Sequence, residues 1–328
     1  MAFEQHFEDV AKAVRRGKVV LFLGAGVNLC NRPTGVTWAL GSKDLLPSGG
    51  ELAEALADEL HRPERVICPN PICQWPQPER DLLKVSQEIV NFMGDGELRD
   101  TLHSVFEAQA PLTPVHNFIA TLAPATRPNR DEDRYPLVVT TNYDDMMERA
   151  YRQIPLSYDM VFYGPNRVAR GSFYHLQSGA AEPLEIDTPN TYLHAFCKDQ
   201  ATILKIHGSI DRTSPKLDAR FVITEDHYID YLAQGALENL LPATLLAKLQ
   251  NHYLLFLGYS LRDWNLRVFL RKLRNWNSFR SWAVLPHAHD AESKFWERNG
   301  VDIVPMDLKE YVGRLGRQLT VHTPDASP

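Results

Sequence analysis

Four short runs carry the residues with the most chemistry: Gly24-Ala25-Gly26, Thr140-Thr141-Asn142-Tyr143-Asp144, Lys205-Ile206-His207-Gly208-Ser209 and Gly258-Tyr259-Ser260-Leu261. A glycine pair such as Gly24 and Gly26 lets the backbone turn tightly and approach a pyrophosphate closely. Asn142 offers both donor and acceptor, so it can hold a sugar hydroxyl or an attacking water. The imidazole of His207 titrates in the range that suits proton abstraction from a hydroxyl. Ser260 adds a hydroxyl able to bond a phosphate or a ribose. Singly, each has a plainer reading. Gly-x-Gly is an ordinary turn, and Asp144, Ser260 or Asp263 is a helix cap. An isolated histidine is structural, and His116, His175, His194, His227 and His252 are read that way because they lack comparable context.

Each run closes an apolar stretch, at 18–23, 136–140, 203–206 and 253–257, that reads as a short buried strand. Helical spacing marks 3–16, 51–60, 80–93, 95–108, 114–123, 144–152, 225–232, 240–250, 261–273, 291–299 and 308–319. Further strands are expected at 221–224, 282–285 and 301–304, with short ones at 159–163, 172–175 and 192–196. Apolar strands alternating with helices predict an α/β fold, a doubly wound, Rossmann-like parallel sheet with helices on both faces. The expected layout is one domain over 1–322, with its core at 18–30, 136–152 and 202–320 and a disordered tail at 323–328. A helical insertion at 50–125 and a mixed one at 155–200 are expected to cap the strand ends. Those ends converge on one crevice in such a sheet, and ligands bind there. The irregular loop 27–50 is long enough to be a lid or binding loop, with Ser48 as the cap of the next helix.

The 328 residues are 44% hydrophobic and 23% charged, ordinary values for a globular chain. A net charge of -6 argues against direct nucleic-acid binding, which rests mainly on phosphate neutralisation. The cluster Arg267, Arg271, Lys272 and Arg274 reads as a solvated helix face. The start of the chain lacks a secretory leader, and no stretch reaches the roughly 18 apolar residues that span a bilayer. The expectation is a cytoplasmic protein without membrane contact. Of Cys30, Cys68, Cys73 and Cys197, only Cys68 and Cys73 are close in sequence. A structural zinc needs four ligands, usually in two tight pairs, so no metal site is expected and the thiols are read as reduced.

In order, the four runs resemble the signature of the SIR2 (sirtuin) superfamily, and within it the prokaryotic SIR2-like domains of antiphage defence systems. Sirtuins carry Gly-Ala-Gly, Thr-Gln-Asn-Ile-Asp, a catalytic His before Gly, and Gly-Thr-Ser-Leu. The tyrosine forms here, Thr-Thr-Asn-Tyr-Asp and Gly-Tyr-Ser-Leu, look like the defence branch. The resemblance implies NAD as substrate, held by Gly24, Ala25, Gly26, Asn28, Thr141, Asp144, Gly258, Ser260 and Leu261, with Asn142 and His207 catalytic. Two departures matter. The four-cysteine zinc ribbon of the protein deacylases is missing. Their Gly-Ile-Pro-Asp-Phe-Arg is replaced by Gly35-Val36-Thr37-Trp38-Ala39-Leu40, which loses the Phe that shields the intermediate from water, with Trp38 as a partial substitute. The implied activity is therefore NAD hydrolysis to nicotinamide and ADP-ribose, by an NAD-depleting defence effector. The same analogy implies a homo-oligomer, or a separate partner subunit of helicase-like ATPase or Argonaute type.

Three rivals stand beside that reading. A regulatory module that binds NAD or ADP-ribose without turnover has no need of a proton acceptor such as His207. An NAD-dependent deacylase or ADP-ribosyltransferase would want the absent zinc module. A dinucleotide oxidoreductase would want a third glycine where Leu29 stands, and an acid about 20 residues further on.

Overall fold

The computed structural model describes residues 3–60, 81–125, 133–165, 171–210, 221–233, 237–259, 264–273, 281–287 and 290–320. Its strands are β1 (Val19–Leu23), β2 (Leu137–Thr140), β3 (Tyr158–Pro165), β4 (Gly171–Leu176), β5 (Leu184–Ile186), β6 (Ala201–Lys205), β7 (Tyr253–Leu257), β8 (Ser281–Val284) and β9 (Val301–Val304). Its helices are α1 (Phe3–Arg15), α2 (Gly26–Leu29), α3 (Gly49–Leu60), α4 (Leu82–Met93), α5 (Asp95–Phe106), α6 (Pro114–Ala125), α7 (Met146–Gln153), α8 (Glu225–Ala233), α9 (Ala243–Asn251), α10 (Trp264–Leu273), α11 (Asp290–Arg298) and α12 (Leu308–Thr320).

All nine strands form one sheet in the order β5-β4-β3-β6-β2-β1-β7-β8-β9. Pairing is parallel from β3 to β9, and β4 and β5 are antiparallel at one edge. The central strands are apolar throughout because both faces are covered. In β1, Val19, Leu21 and Leu23 feed the core under α1, α6, α7 and α12. Val20 and Phe22 point the other way, into the core under α8, α9 and α10. The first strand lies between β2 and β7. The chain moves outward on one side through β2, then crosses to the other side at β7, which makes β1 the switch point where the crevice opens.

A third apolar cluster joins α3, α4 and α5 through Leu52, Leu56, Val85, Ile89 and Leu102, and it includes Tyr143, which follows β2. The loop before α3 is tied down by a capping box. Ser48 Oγ accepts from Glu51 N at 3.1 Å, and Glu51 Oε2 accepts from Ser48 N at 2.8 Å. Glu51 Oε1 also accepts from Trp38 N at 2.9 Å and pairs with Arg32 Nη1 at 2.6 Å. Burial alone would raise this carboxyl, but these bonds hold it below the usual range. The loop 27–50 is thus anchored at its far end.

Three stretches depart from expectation. The segment 155–200, expected as a cap, supplies β3, β4 and β5 to the sheet itself. Tyr158 to Phe162 pair in parallel with Ala201 to Lys205, a ladder that the weak local pattern did not reveal. Residues 192–196 form no strand and follow a 3-10 turn at Pro189–Thr191. Residues 221–224, expected as a strand, form none. Val222 N bonds the His207 carbonyl at 2.9 Å, and the Val222 carbonyl accepts from Tyr143 Oη at 2.8 Å, so this segment serves the site instead. The expected tail and the pair Cys68 and Cys73 lie outside the described residues. Among the described residues, no helix is long and apolar enough to cross a membrane.

One buried base gives a pH prediction. His116 on α6 is 1% exposed and its Nδ1 lies 2.8 Å from Thr113 Oγ1. Burial pushes its pKa down to about 4, against the pull of Asp144 and with help from Arg149. The unfolded chain takes up this proton near pH 6.5, whereas the folded chain resists it until about 4. Stability is therefore fully present above 6.5 and falls as pH drops through that window, by roughly 3 kcal/mol from this group. Urea unfolding at pH 7.5 and 4.5 checks it: His116→Gln should flatten the slope relative to the natural chain.

Candidate functional site

A cavity of about 630 Å³ opens at the C-terminal ends of β1, β2, β6 and β7. Such a volume suits a small-molecule ligand. The chain closes it with residues 47–50 from the anchored loop, Leu52 and Phe106 from the helical insertion, and the segments that follow β8 and β9.

Its floor is backbone against backbone. Gly24 N bonds Leu257 O at 3.0 Å and Gly26 N bonds Gly258 O at 2.9 Å, which locks the turn after β1 to the turn after β7. A Cβ on Gly24 or Gly26 would sit 2.7 Å from the Gly258 carbonyl oxygen. A Cβ on Gly258, whose φ is +73°, would sit 2.4 Å from Val27 N. These glycines permit both the close approach and the left-handed turn. The helix that follows, α2, is only four residues long and its N-cap Ala25 makes no side-chain bond. The turn itself, more than any helix dipole, is what this wall offers an anion.

The polar wall comes from the turn after β2. Asn142 Nδ2 donates to the Gly24 carbonyl at 3.3 Å, and Asn142 N donates to Thr140 Oγ1 at 2.9 Å, so the asparagine is half-buried and oriented. Thr141 Oγ1 lies 3.0 Å from Tyr259 Oη, joining this turn to the one after β7. Asp144 is 5% exposed and already engaged: Oδ1 accepts from Met146 N at 3.1 Å, at the start of α7, and Oδ2 accepts from Asn28 Nδ2 at 2.7 Å. The N-cap position expected for Asp144 is held by Asp145, one residue on, while Asp144 clamps Asn28 to the start of the helix. The other amide atom, Asn28 Oδ1, is buried without a hydrogen-bond partner among the described residues. A buried acceptor left unmade is costly, and here it lies in a wall residue of the cavity.

His207 follows β6 and is 5% exposed. Tyr228 on α8 packs edge-on against its ring, with Oη 3.1 Å from Nδ1 and 3.4 Å from Nε2. Beneath lies a buried ion pair. Lys205, 1% exposed, meets Glu148 Oε1 at 2.6 Å and donates to the Asp144 carbonyl at 2.5 Å and Ser209 Oγ at 3.0 Å. Burial pushes the Glu148 carboxyl up, outweighing the Lys205 charge that pulls it down. One ammonium thus braces the turns after β2 and β6.

The structure brings Gly24, Ala25, Gly26, Asn28, Thr141, Asn142, Asp144, His207 and Gly258 around one cavity. Ser260 and Leu261 lie outside the described residues. Trp38 is buried in the core of the helical insertion and is not among the described lining residues. Sequence reasoning passed over Phe106, Tyr228 and Tyr259, and Asp307, whose Oδ1 caps α12 by accepting from Lys309 N at 2.8 Å. Tyr259 sits inside a quoted run, and Asp307 follows a strand as the other wall residues do. Tyr228 had no such mark.

A family model for SIR2-like domains matches residues 136–304, just over half of the chain. Defense-associated sirtuin 2 of Bacillus subtilis is 23% identical over 314 residues, covering 93% of this chain and 25% of that protein. The chain therefore spans about a quarter of the length of that relative. A solved structure from a study of the mechanism and regulation of Sir2 enzymes aligns over 96% of this chain and 97% of its own, with 13% identity and a TM-score of 0.42. On the strength of the family match, this chain belongs to the SIR2-like domain family.

Proposed function

We propose that the chain is an NAD glycohydrolase, releasing nicotinamide and ADP-ribose, and that it serves as an NAD-depleting effector in antiphage defence. The supporting observation is convergence: a glycine cradle, an unsatisfied amide acceptor on Asn28, the oriented amide of Asn142 and the buried imidazole of His207 share one cavity. The cradle fits a pyrophosphate through the tight turn that its glycines allow, since Gly24 N and Gly26 N are themselves bonded to Leu257 O and Gly258 O. Asn28 Oδ1 fits a hydroxyl donor such as a ribose.

NAD supplies the scissile bond between nicotinamide and ribose, and positive charge develops on the sugar as it breaks. The Gly24–Gly26 turn and Gly258 hold the pyrophosphate, with Thr141 beside it. Asn142 orients the ribose and the incoming water. His207 takes a proton from that water or from a ribose hydroxyl. Asp144 acts by fixing Asn28, and Tyr228 by fixing the His207 ring. Hydrolysis is favoured over transfer to an acyl-lysine because the aromatic of the 35–40 loop, Trp38, is turned into the insertion core. The defence role rests on the relative's name, and self-assembly or a separate partner subunit remains part of the same proposal.

The test is NAD consumption without any acylated peptide, with products separated by chromatography. Equal amounts of nicotinamide and ADP-ribose are expected. Consumption that requires an acetyl-lysine peptide would overturn hydrolysis in favour of deacylation. Gly258→Ala tests the cradle: strain at positive φ costs of order 1–3 kcal/mol, and the new methyl meets Val27 N. NAD affinity by calorimetry should fall about tenfold or more, with far-UV circular dichroism unchanged.

A further inference from the structure

At the opposite edge of the sheet, three side chains converge that the proposed reaction does not use. Asp159 stands at the N-terminal end of β3, near Thr202 at the start of β6, whereas the crevice lies beyond the C-terminal ends. His175 stands on β4 opposite Val161, so Asp159 and His175 project from the same sheet face. His194 arrives from the segment after the Pro189–Thr191 turn. One donor atom from each of the three lies within 4.8 Å of the others.

We propose that Asp159, His175 and His194 form a binding site for a divalent transition ion of the zinc class. His194 Nε2 lies 2.8 Å from Asp159 Oδ2, and His175 Nε2 lies 3.5 Å from Asp159 Oδ1. For ligand bonds of roughly 2.0–2.2 Å, tetrahedral donors stand roughly 3.3 Å apart, and each imidazole lies near that spacing from one oxygen of the carboxylate, His194 from Oδ2 and His175 from Oδ1. The side chains of Asp159 and His175 are wholly buried, and among the described residues His175 Nε2 has no hydrogen-bond partner of good geometry, only Asp159 Oδ1 at 3.5 Å. A buried imidazole nitrogen 3.5 Å from a carboxylate oxygen is at the long limit of a hydrogen bond and near the spacing of two ligands on one ion.

The groups behind the three donors match the pattern of metal sites, where outer partners fix the ligands. Tyr192 Oη lies 2.7 Å from His175 Nδ1. When Nδ1 carries the proton and donates it to Tyr192, Nε2 presents a lone pair. Ser178 N and Gln200 Nε2 donate to Asp159 Oδ1 at 3.0 and 2.6 Å, which leaves Oδ2 the freer ligand oxygen. Phe196 packs against both imidazole rings, at 5.0 Å from His175 and 4.5 Å from His194. The His194 side chain is 23% exposed and borders a second cavity of about 330 Å³, which offers an entry path on that side. Two nitrogens and one oxygen suit zinc, cobalt or iron better than magnesium or calcium. The ion would fasten the β3–β4 edge to the segment 187–200. This set contains no cysteine and is separate from any thiolate ribbon.

The plainer alternative is a buried carboxylate bonded by two imidazoles with no ion. The full chain, stripped with a chelator, is titrated with zinc chloride by calorimetry and loaded with cobalt(II) for visible absorption. The expected result is a single saturable ion per chain and cobalt ligand-field bands without thiolate charge transfer. His194→Ala, at a partly exposed position, should weaken zinc by more than about 100-fold, beyond the loss typical of an outer partner. Zinc should raise the melting temperature of the natural chain and leave that of His194→Ala unmoved. Equal zinc affinity in the two chains, thiolate bands in the cobalt spectrum, or a melting temperature indifferent to zinc would overturn the proposal.

Discussion

His207→Ala is expected to cut nicotinamide release from NAD by roughly 10²–10⁴-fold, the usual worth of a positioned acid–base group. NAD affinity and melting temperature should stay close to those of the natural chain. The reason lies in its surroundings. His207 is held by Tyr228 at one ring edge, and its backbone carbonyl is held by Val222 N, so the loop stays in place when the ring is removed. A histidine with a purely structural role would give the reverse pattern, with lost stability and preserved turnover. The split between kcat and NAD affinity therefore decides the matter. Tyr228→Phe should show a milder loss in kcat and an altered pH profile, since its hydroxyl orients the His207 ring.

The second large effect concerns stability. Glu148→Ala is expected to cost about 3–5 kcal/mol, because it strands the ammonium of Lys205 in a dry interior. Lys205 is 1% exposed and has Glu148 Oε1 at 2.6 Å as its counter-charge. Its remaining bonds, to the Asp144 carbonyl and Ser209 Oγ, do not neutralise it. The melting temperature should fall by on the order of 10 °C. Replacing both partners, as Lys205→Met with Glu148→Leu, should cost less than either change alone, since buried pairs often exchange for apolar groups at little loss. A double-mutant cycle by urea unfolding measures this coupling. Additive losses would mean that the pair is not a unit. The double variant should still lose NAD affinity, because the turns that Lys205 braces carry Asp144 and Ser209.

What could be read in advance depended on how local the signal was. The strands at 19–23, 137–140, 201–205 and 253–257 are buried on both faces, and that shows as unbroken apolar runs. Their C-terminal turns were legible for the same reason: Gly24, Asn142, His207 and Gly258 each break an apolar run with a residue that no strand needs. The strands at 159–163 and 172–175 were legible and became β3 and β4, but their place in the main sheet was not, because the pairing of β3 with β6 is a long-range fact. Tyr228 was invisible because it lies on a helix with no chemical motif, and reaches His207 only through folding. Lys205 reads as an ordinary polar strand end until Glu148, 57 positions earlier, is brought beneath it. The triad of Asp159, His175 and His194 is spread over three elements without a tight ligand pair, so a search for zinc spacing among cysteines could not find it.

The most direct test of the central claim is a single-turnover experiment with protein in excess of NAD, followed by proton nuclear magnetic resonance. The natural chain should convert all bound NAD to free nicotinamide and ADP-ribose, while His207→Ala and Asn142→Ala hold NAD intact. Bound NAD that stays intact on the natural chain would contradict the account and leave a binding module in its place.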